Sequence, residues 1–182
     1  MLFRSGLLVD ELLNQNTDFA IRRRIPRILG TLSSERALDG VVRGLDDSRF
    51  EVRYQCGRAI DRILRRNDAL SVDHARILSV IERELSVSPQ VWQGHRLIDR
   101  VERDDEAIVP ESRPDQTQQN LEHVFSLLSA VLPREPLQVA YHGILADTPG
   151  VRALALEYLD RVLPPAVRSK LEVLLETPIA EK

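Results

Sequence analysis

The chain has 182 residues, of which 43% are hydrophobic, 29% are charged and 4% are aromatic. This length suits one domain or one short repeat array, with a core that needs neither disulfides nor metal ions. Because Cys56 is the single cysteine, an internal disulfide and a thiolate metal site are excluded, and a cytoplasmic location is predicted.

Charge is unevenly distributed along the chain. The net charge is −3, but residues 1–66 contain 13 basic and 9 acidic residues, whereas residues 67–182 contain 12 basic and 19 acidic residues. The first part is therefore basic and the second acidic. No window reaches the roughly 18 to 20 uninterrupted apolar residues of a membrane span, so a soluble chain is predicted.

Apolar residues recur at helical spacing, which predicts pairs of helices and no sheet. The predicted first helices are, in chain order, SGLLVDELLNQ, ERALDGVVRGL, DHARILSVIERELS and PLQVAYHGILA. The second helices open on a β-branched residue followed by arginine, at Ile21-Arg22, Val52-Arg53 and Val151-Arg152, with a weaker copy at Val91-Trp92. The segment PPAVRSKLEVLLE is predicted to close the array.

Each second helix is predicted to bury one apolar stripe. The three stripes are Ile25, Ile28, Leu29 and Leu32; Cys56, Ala59, Ile60, Ile63 and Leu64; and Ala155, Tyr158, Leu159, Val162 and Leu163. Cys56 is therefore interpreted as a core residue and not as a nucleophile. Pro26 is predicted to kink its helix or displace its start, because proline lacks an amide donor and clashes with the preceding turn.

The segment from Glu102 to Gln118 separates two predicted modules. It is acid-rich, contains two prolines and lacks apolar periodicity, which indicates an exposed flexible linker. The predicted organisation is thus a helical repeat region over 1–101, a linker over 102–118 and a C-terminal helical module over 119–182.

In each repeat an acidic residue is followed, after a short turn, by a β-branched residue and an arginine. This recurring phrase resembles the repeat motif of HEAT-repeat proteins. The resemblance implies an all-α, short right-handed α-solenoid of degenerate HEAT-like hairpins. It also implies a structural ladder in which the arginines reach turn acids of adjoining units. The ladder residues are Asp18, Arg22, Asp47, Arg53, Asp147 and Arg152.

A narrower resemblance rests on four phrases, IRRRIPRILGTL, DDSRFEVRYQCGRAI, LEHVFSLLSAVLPREPLQVAYHGI and RALALEYLDRVLPP. Together they are similar to the soluble HEAT-like region that follows the membrane domain in bacterial ATP/ADP translocase-like proteins. This implies the cytosolic part of a larger membrane-associated protein. It transfers no catalytic residue, because the substrate-handling helices of the transporter are absent here.

Two arginine clusters are the best candidates for a binding surface. The predicted anion-binding or partner-binding face consists of Arg23, Arg24, Arg27, Arg58, Arg62, Arg65 and Arg66. Such a face suits an acidic protein or an anionic membrane surface; nucleic acid is less favoured, because no aromatic residues are interleaved for base stacking.

No catalytic, metal-binding or cofactor-binding pattern is present. The histidines lack the spacing of a helical zinc site, and the glycines form no phosphate-binding loop. The sequence therefore predicts a protein-binding scaffold that is not an enzyme and needs no cofactor. The alternative is a nucleic-acid-binding helical array that uses the arginine-rich face.

Overall fold

The fold was analysed in a computed structural model, which describes residues 2–87, 116–146 and 148–176. All regular secondary structure within these ranges is helical, and no strand occurs in them. The predicted all-α class is confirmed.

The helices are short and follow one another closely along the chain. They are α1 (Leu2–Leu13), α2 (Phe19–Arg22), α3 (Ile25–Leu29), α4 (Glu35–Arg43), α5 (Phe50–Arg66), α6 (His74–Ser86), α7 (Gln116–Leu128), α8 (Arg134–Leu145), α9 (Pro149–Val162) and α10 (Pro165–Glu176). A 3₁₀ turn at Gly44–Asp46 joins the end of α4 to the segment before α5.

The helices group into two compact units. The described residues up to Ser71 belong to the first unit, and α6 belongs with α7 to α10 in the second. The predicted division at 102–118 runs mostly through residues 88–115, which lie outside the described ranges. Where the chain is described, residues 116–118 already belong to α7, and α6 packs with the C-terminal helices instead of the N-terminal ones.

Helix α5 is the centre of the first unit. It packs against α3 and α4, while α1 packs against α3 and α4 in turn. Val52, Cys56, Ile60 and Ile63 lie along α5 at helical spacing and have no exposed surface. Of the predicted stripe, Cys56, Ala59, Ile60 and Ile63 are confirmed as buried, whereas Leu64 is half-buried.

Pro26 interrupts the predicted helix that contains the first stripe. The chain forms α2, leaves regular structure at residues 23–24, and restarts as α3 with Pro26 in its first turn. A proline is tolerated there because the first amides of a helix have no intrahelical acceptor. The predicted displacement of the helix start is confirmed.

Some apolar residues predicted to be buried are exposed. Ile28, which was assigned to the first stripe, is 49% exposed. Of the three β-branched residues that open the repeated phrase, Val52 is buried, whereas Ile21 and Val151 are exposed. The prediction for Ile28 was wrong, and the three copies of the phrase do not share one burial pattern.

The second unit is built from helix pairs. Helices α8 and α9 form a tight hairpin, in which a Cβ at Gly143 would lie 2.9 Å from the Ala155 Cβ. Helix α6 packs against α7 and α10. Ala155, Leu159 and Leu163 of the third predicted stripe are buried, while Tyr158 and Val162 are half-buried.

Candidate functional site

The close packing of α3 on α5 brings the two predicted arginine clusters together. A Cβ at Gly30, which directly follows α3, would lie 3.3 Å from the Ala59 Cα on α5. Only a residue without a side chain fits this approach without displacement of its neighbours. The small Gly30 and Ala59 thus allow the arginines of α5 to reach the backbone of the α3 segment.

Arg62 and Arg66 bridge the two helices through hydrogen bonds to main-chain carbonyls. The Arg62 Nη1 donates to the Arg27 carbonyl at 3.4 Å, and the Arg66 Nη1 donates to the Thr31 carbonyl at 3.1 Å. Carbonyls at a helix C-terminus lack intrahelical donors and carry partial negative charge, which favours cations there. These arginines therefore hold α3 in place; Arg66 is exposed and Arg62 is half-buried.

Two other arginines of the predicted face, Arg58 and Arg65, interact with side chains of their own helix, α5. Arg65 pairs with Asp61 one turn earlier, with its Nε donating to Oδ2 at 2.9 Å. The Arg58 Cζ lies 5.7 Å from the centre of the Tyr54 ring, which is within range of a cation–π interaction. Arg58 remains exposed, but the carboxylate of Asp61 offsets the charge of Arg65.

Exposed isoleucines lie among the arginines of the α2–α3 segment. Ile21 is 54% exposed and Ile28 is 49% exposed, and Arg24 and Arg27 between them are also exposed. The guanidinium of Arg27 makes no hydrogen bond or ion pair to any described residue. We refer to this set as the arginine–isoleucine face, which consists of Ile21, Arg24, Arg27, Ile28, Arg62 and Arg66.

Arg23 is only half-buried and does not project freely. Its Cζ lies 5.9 Å from the centre of the Phe19 ring, and the Arg49 Cζ lies 5.0 Å from the same ring. Two cations therefore lie over one aromatic side chain that is itself buried. Arg23 is for this reason outside the arginine–isoleucine face.

Arg22 and Asp47, two residues of the predicted ladder, form a buried ion pair. The Arg22 Nη1 donates to the Asp47 Oδ2, and the side chains are 6% and 2% exposed. The other Asp47 oxygen accepts the Arg49 amide at 2.8 Å, and the Arg22 Nε donates to the Thr17 carbonyl at 3.1 Å. A buried pair with its remaining groups hydrogen-bonded fixes α2 against the turn before α5.

The remaining arginines of the ladder bind main-chain carbonyls in the described contacts. The Arg53 Nη1 donates to the carbonyls of Asp47 and Ser48 at 2.9 and 3.0 Å. The Arg152 Nη2 donates to the carbonyl of Leu175 on α10 at 3.2 Å.

The two other acids of the ladder are not part of the buried pair. The Asp18 carboxylate caps α2 by accepting the amide of Ala20 at 2.8 Å. Asp147 lies outside the described residues. Among the six ladder residues, Arg22 and Asp47 are thus the one pair joined by a side-chain ion pair in the described contacts.

Cys56 is fully buried on α5 and belongs to the core. Burial raises the pKa of its thiol well above the ordinary value, and the Asp47 carboxylate raises it further. A thiol with a raised pKa is poorly ionised near neutral pH, so it is a weak nucleophile. The interpretation of Cys56 as a core residue is confirmed.

This raised pKa predicts a specific loss of stability in alkali. Above about pH 8.5 the thiol of the unfolded chain ionises, whereas that of the folded chain stays protonated. The contribution of Cys56 to the free energy of unfolding is therefore fully present below that pH and is lost as the pH rises. The free energy of unfolding should fall more steeply in the wild type than in Cys56→Ala, by up to about 1.4 kcal/mol per pH unit. Urea unfolding between pH 7 and 10 measures both slopes. Parallel curves for the two proteins would contradict the prediction.

The described residues contain no group of three or more histidine, cysteine or acidic side chains placed to hold a metal ion. None of the helices in the described ranges combines the length and the apolar content of a bilayer crossing. His95, like the weak repeat copy at Val91-Trp92, lies outside these ranges.

Sequence reasoning identified the arginines of the face but missed its isoleucines. Ile28 was assigned to a buried stripe with Ile25 and Leu29, and Ile21 was treated only as the residue that opens the second helix. Pro26 was the available signal that the helix breaks between Ile21 and Ile28.

The chain was compared with protein-family models, curated proteins and solved structures. No family model, no curated protein and no solved structure matches it.

Proposed function

We propose that the chain is a non-enzymatic protein-interaction domain, which binds an acidic amphipathic segment of a partner protein through the arginine–isoleucine face. The observation that carries this proposal is the exposure of Ile21 and Ile28 beside Arg24 and Arg27. A binding surface of this composition offers both apolar contact and guanidinium donors for carboxylates.

The mixture of apolar and cationic groups favours a protein partner. Arginine is enriched at protein interfaces and is frequent among the residues that contribute most to binding, whereas charges alone contribute less at exposed sites. A partner that covers Ile21 or Ile28 would remove exposed apolar surface from water. Carboxylates of the same partner would pair with the guanidiniums of Arg24 and Arg27.

Base stacking has no platform on this surface. The aromatic residues nearest to these arginines along the sequence are Phe19, Phe50 and Tyr54, and all three are buried. Single-stranded nucleic acid gains much of its affinity from exposed aromatic rings, and duplex DNA from many free cations. Arg65 is paired with Asp61, which reduces the number of cations available for phosphates.

We also propose that the helices form a short right-handed α-solenoid of degenerate HEAT-like hairpins, within a cytoplasmic part of a larger membrane-associated protein. The buried pair of Arg22 and Asp47 supports the HEAT-like reading, because it links an arginine of one phrase to the turn acid of the next. In a stacked array, each unit buries its apolar face against its neighbours and leaves the outer face for recognition.

A peptide titration tests the proposed interaction. The probe is a fluorescein-labelled 18-residue helix with leucines along one face and glutamates elsewhere, and the measurement is anisotropy at several salt concentrations. Ile28→Ser should weaken binding by about tenfold, because loss of one well-packed interface anchor costs more than about 1 kcal/mol. Arg27→Gln should weaken it by about threefold and reduce the salt dependence.

Matched controls lie elsewhere in the same unit. Leu7→Ser removes another exposed apolar side chain, which is 65% exposed on α1, and Arg43→Gln removes another exposed arginine, so both should leave binding unchanged. Tighter binding of a 20-base-pair duplex or of phosphatidylserine vesicles, with no effect of Ile28→Ser, would contradict the proposal.

A further inference from the structure

A half-open apolar cleft lies between α9 and α10 in the second unit. Its volume is about 150 Å³. Leucines form most of its wall, namely Leu156, Leu159, Leu163, Leu171 and Leu175. An enclosed apolar cavity of about this volume accommodates a benzene ring. The cleft therefore has room for one leucine-sized or phenylalanine-sized side chain.

The cleft exists because its two walls pack mainly against other helices. Helix α9 packs most closely against α8, and α10 packs most closely against α6. The side chains between α9 and α10 consequently line an open space instead of filling it. A ligand that fills this space would bury leucine surface without a rearrangement of the neighbouring helices.

Three acidic side chains and one basic side chain also line the cleft. They are Glu157, Asp160, Glu172 and Arg168, and we refer to these four charged residues as its mouth. Arg168 is already engaged, because its Nη1 donates to the Asp160 carbonyl at 3.4 Å and its Nε lies 3.6 Å from the Asp160 Oδ1. The mouth therefore keeps an excess of negative charge.

The carboxylates of the mouth differ in how far they are paired. Glu157 has an exposed partner in Arg161 one turn later. Glu172 is exposed and makes no hydrogen bond or ion pair to any described residue. It is thus the carboxylate most available to a cation that approaches the cleft.

We propose that this cleft is a second docking site, which takes a leucine or phenylalanine side chain from a basic segment of a partner protein. The apolar side chain enters the space between the leucines, and a flanking lysine or arginine reaches Glu172. Charge complementarity selects a cationic segment, because an anionic one would place a like charge beside Glu172, the carboxylate of the mouth that has no cationic partner among the described residues. This site is distinct from the arginine–isoleucine face: the cleft requires a basic segment, whereas the face requires an acidic one.

Two charge-reversed peptides test the proposal on the full chain. The probes are the blocked tripeptides Arg-Phe-Arg and Glu-Phe-Glu, titrated while the amide resonances of the ¹⁵N-labelled protein are recorded. Arg-Phe-Arg should shift resonances of α9 and α10 with a Kd of order 1 mM, as expected for so small a ligand. Glu-Phe-Glu should bind at least about threefold more weakly, and added salt should reduce the difference.

The substitution Glu172→Lys reports on the charge of the mouth. Since Glu172 is exposed, the variant should fold normally, and its preference should move towards Glu-Phe-Glu. Asp68→Lys makes the same change of charge at an exposed position in the first unit and should leave the preference unaltered.

Three results would overturn the proposal. The first is an equal response to both peptides, which would show an apolar pocket without charge selection. The second is the absence of shifts in α9 and α10 at 10 mM peptide. The third is a shift of the same resonances with protein concentration in the absence of peptide, which would assign the cleft to a second copy of the chain.

Discussion

Replacing Asp47 by alanine should lower the free energy of unfolding by about 3 to 5 kcal/mol, because removal of one partner leaves a buried charge uncompensated. The Arg22 side chain is only 6% exposed, so it has little access to water after the carboxylate is removed. The variant also loses the acceptor of the Arg49 amide. Urea unfolding followed by far-UV circular dichroism measures the loss.

The exposed pair of Asp39 and Arg43 provides the matched control. These side chains are 65% and 61% exposed and approach to 3.8 Å, so Asp39→Ala should change the free energy of unfolding by less than about 0.5 kcal/mol. Adding Arg22→Met to Asp47→Ala should recover part of the stability, because the uncompensated cation is removed. A loss below about 1 kcal/mol for Asp47→Ala alone would show that water reaches Arg22.

Replacing Ile60 by alanine should lower the free energy of unfolding by about 2 to 5 kcal/mol. Ile60 has no exposed surface and lies on α5, which packs against both α3 and α4. The truncation therefore removes transfer free energy and leaves a cavity between three helices. Thermal and urea unfolding of the same variant should agree on the loss.

Ile28→Ala is the control for this second prediction. Ile28 is 49% exposed, so its truncation should cost less than about 0.5 kcal/mol. If the two isoleucine variants lost equal stability, the assignment of Ile60 to the core and Ile28 to the surface would be contradicted.

The period of apolar residues predicted the core best in the long helix α5. In α5 the spacing of Cys56, Ile60 and Ile63 coincides with full burial, because seventeen uninterrupted helical residues keep these side chains on one side. The same reasoning failed for Ile28. Ile25 and Leu29 of the same short helix are buried, and Ile28 directly precedes Leu29, so its side chain is turned about 100° away from that of Leu29 and leaves the buried side.

The sequence identified the arginines of the face but not the contacts that they make. Arg62 and Arg66 were assigned to an anion-binding or partner-binding face, and the structure shows each of them bonded to a main-chain carbonyl in or directly after α3. These acceptors are 35 residues away in the chain, so no local pattern reveals them. The α9–α10 cleft was missed for the same reason, since it depends on which helices pack together.

The shortness of α2 and α3 has a consequence for how the protein would recognise a partner. These helices have four and five residues, whereas an isolated helix needs about 12 to 15 residues to be even marginally stable in water. Their order therefore depends on contacts with the turn before α5 and with α5 itself. Local opening of this segment would disperse Ile21, Arg24, Arg27 and Ile28 without unfolding the rest of the unit, and an occupied face would slow amide hydrogen exchange there by stabilising the closed state.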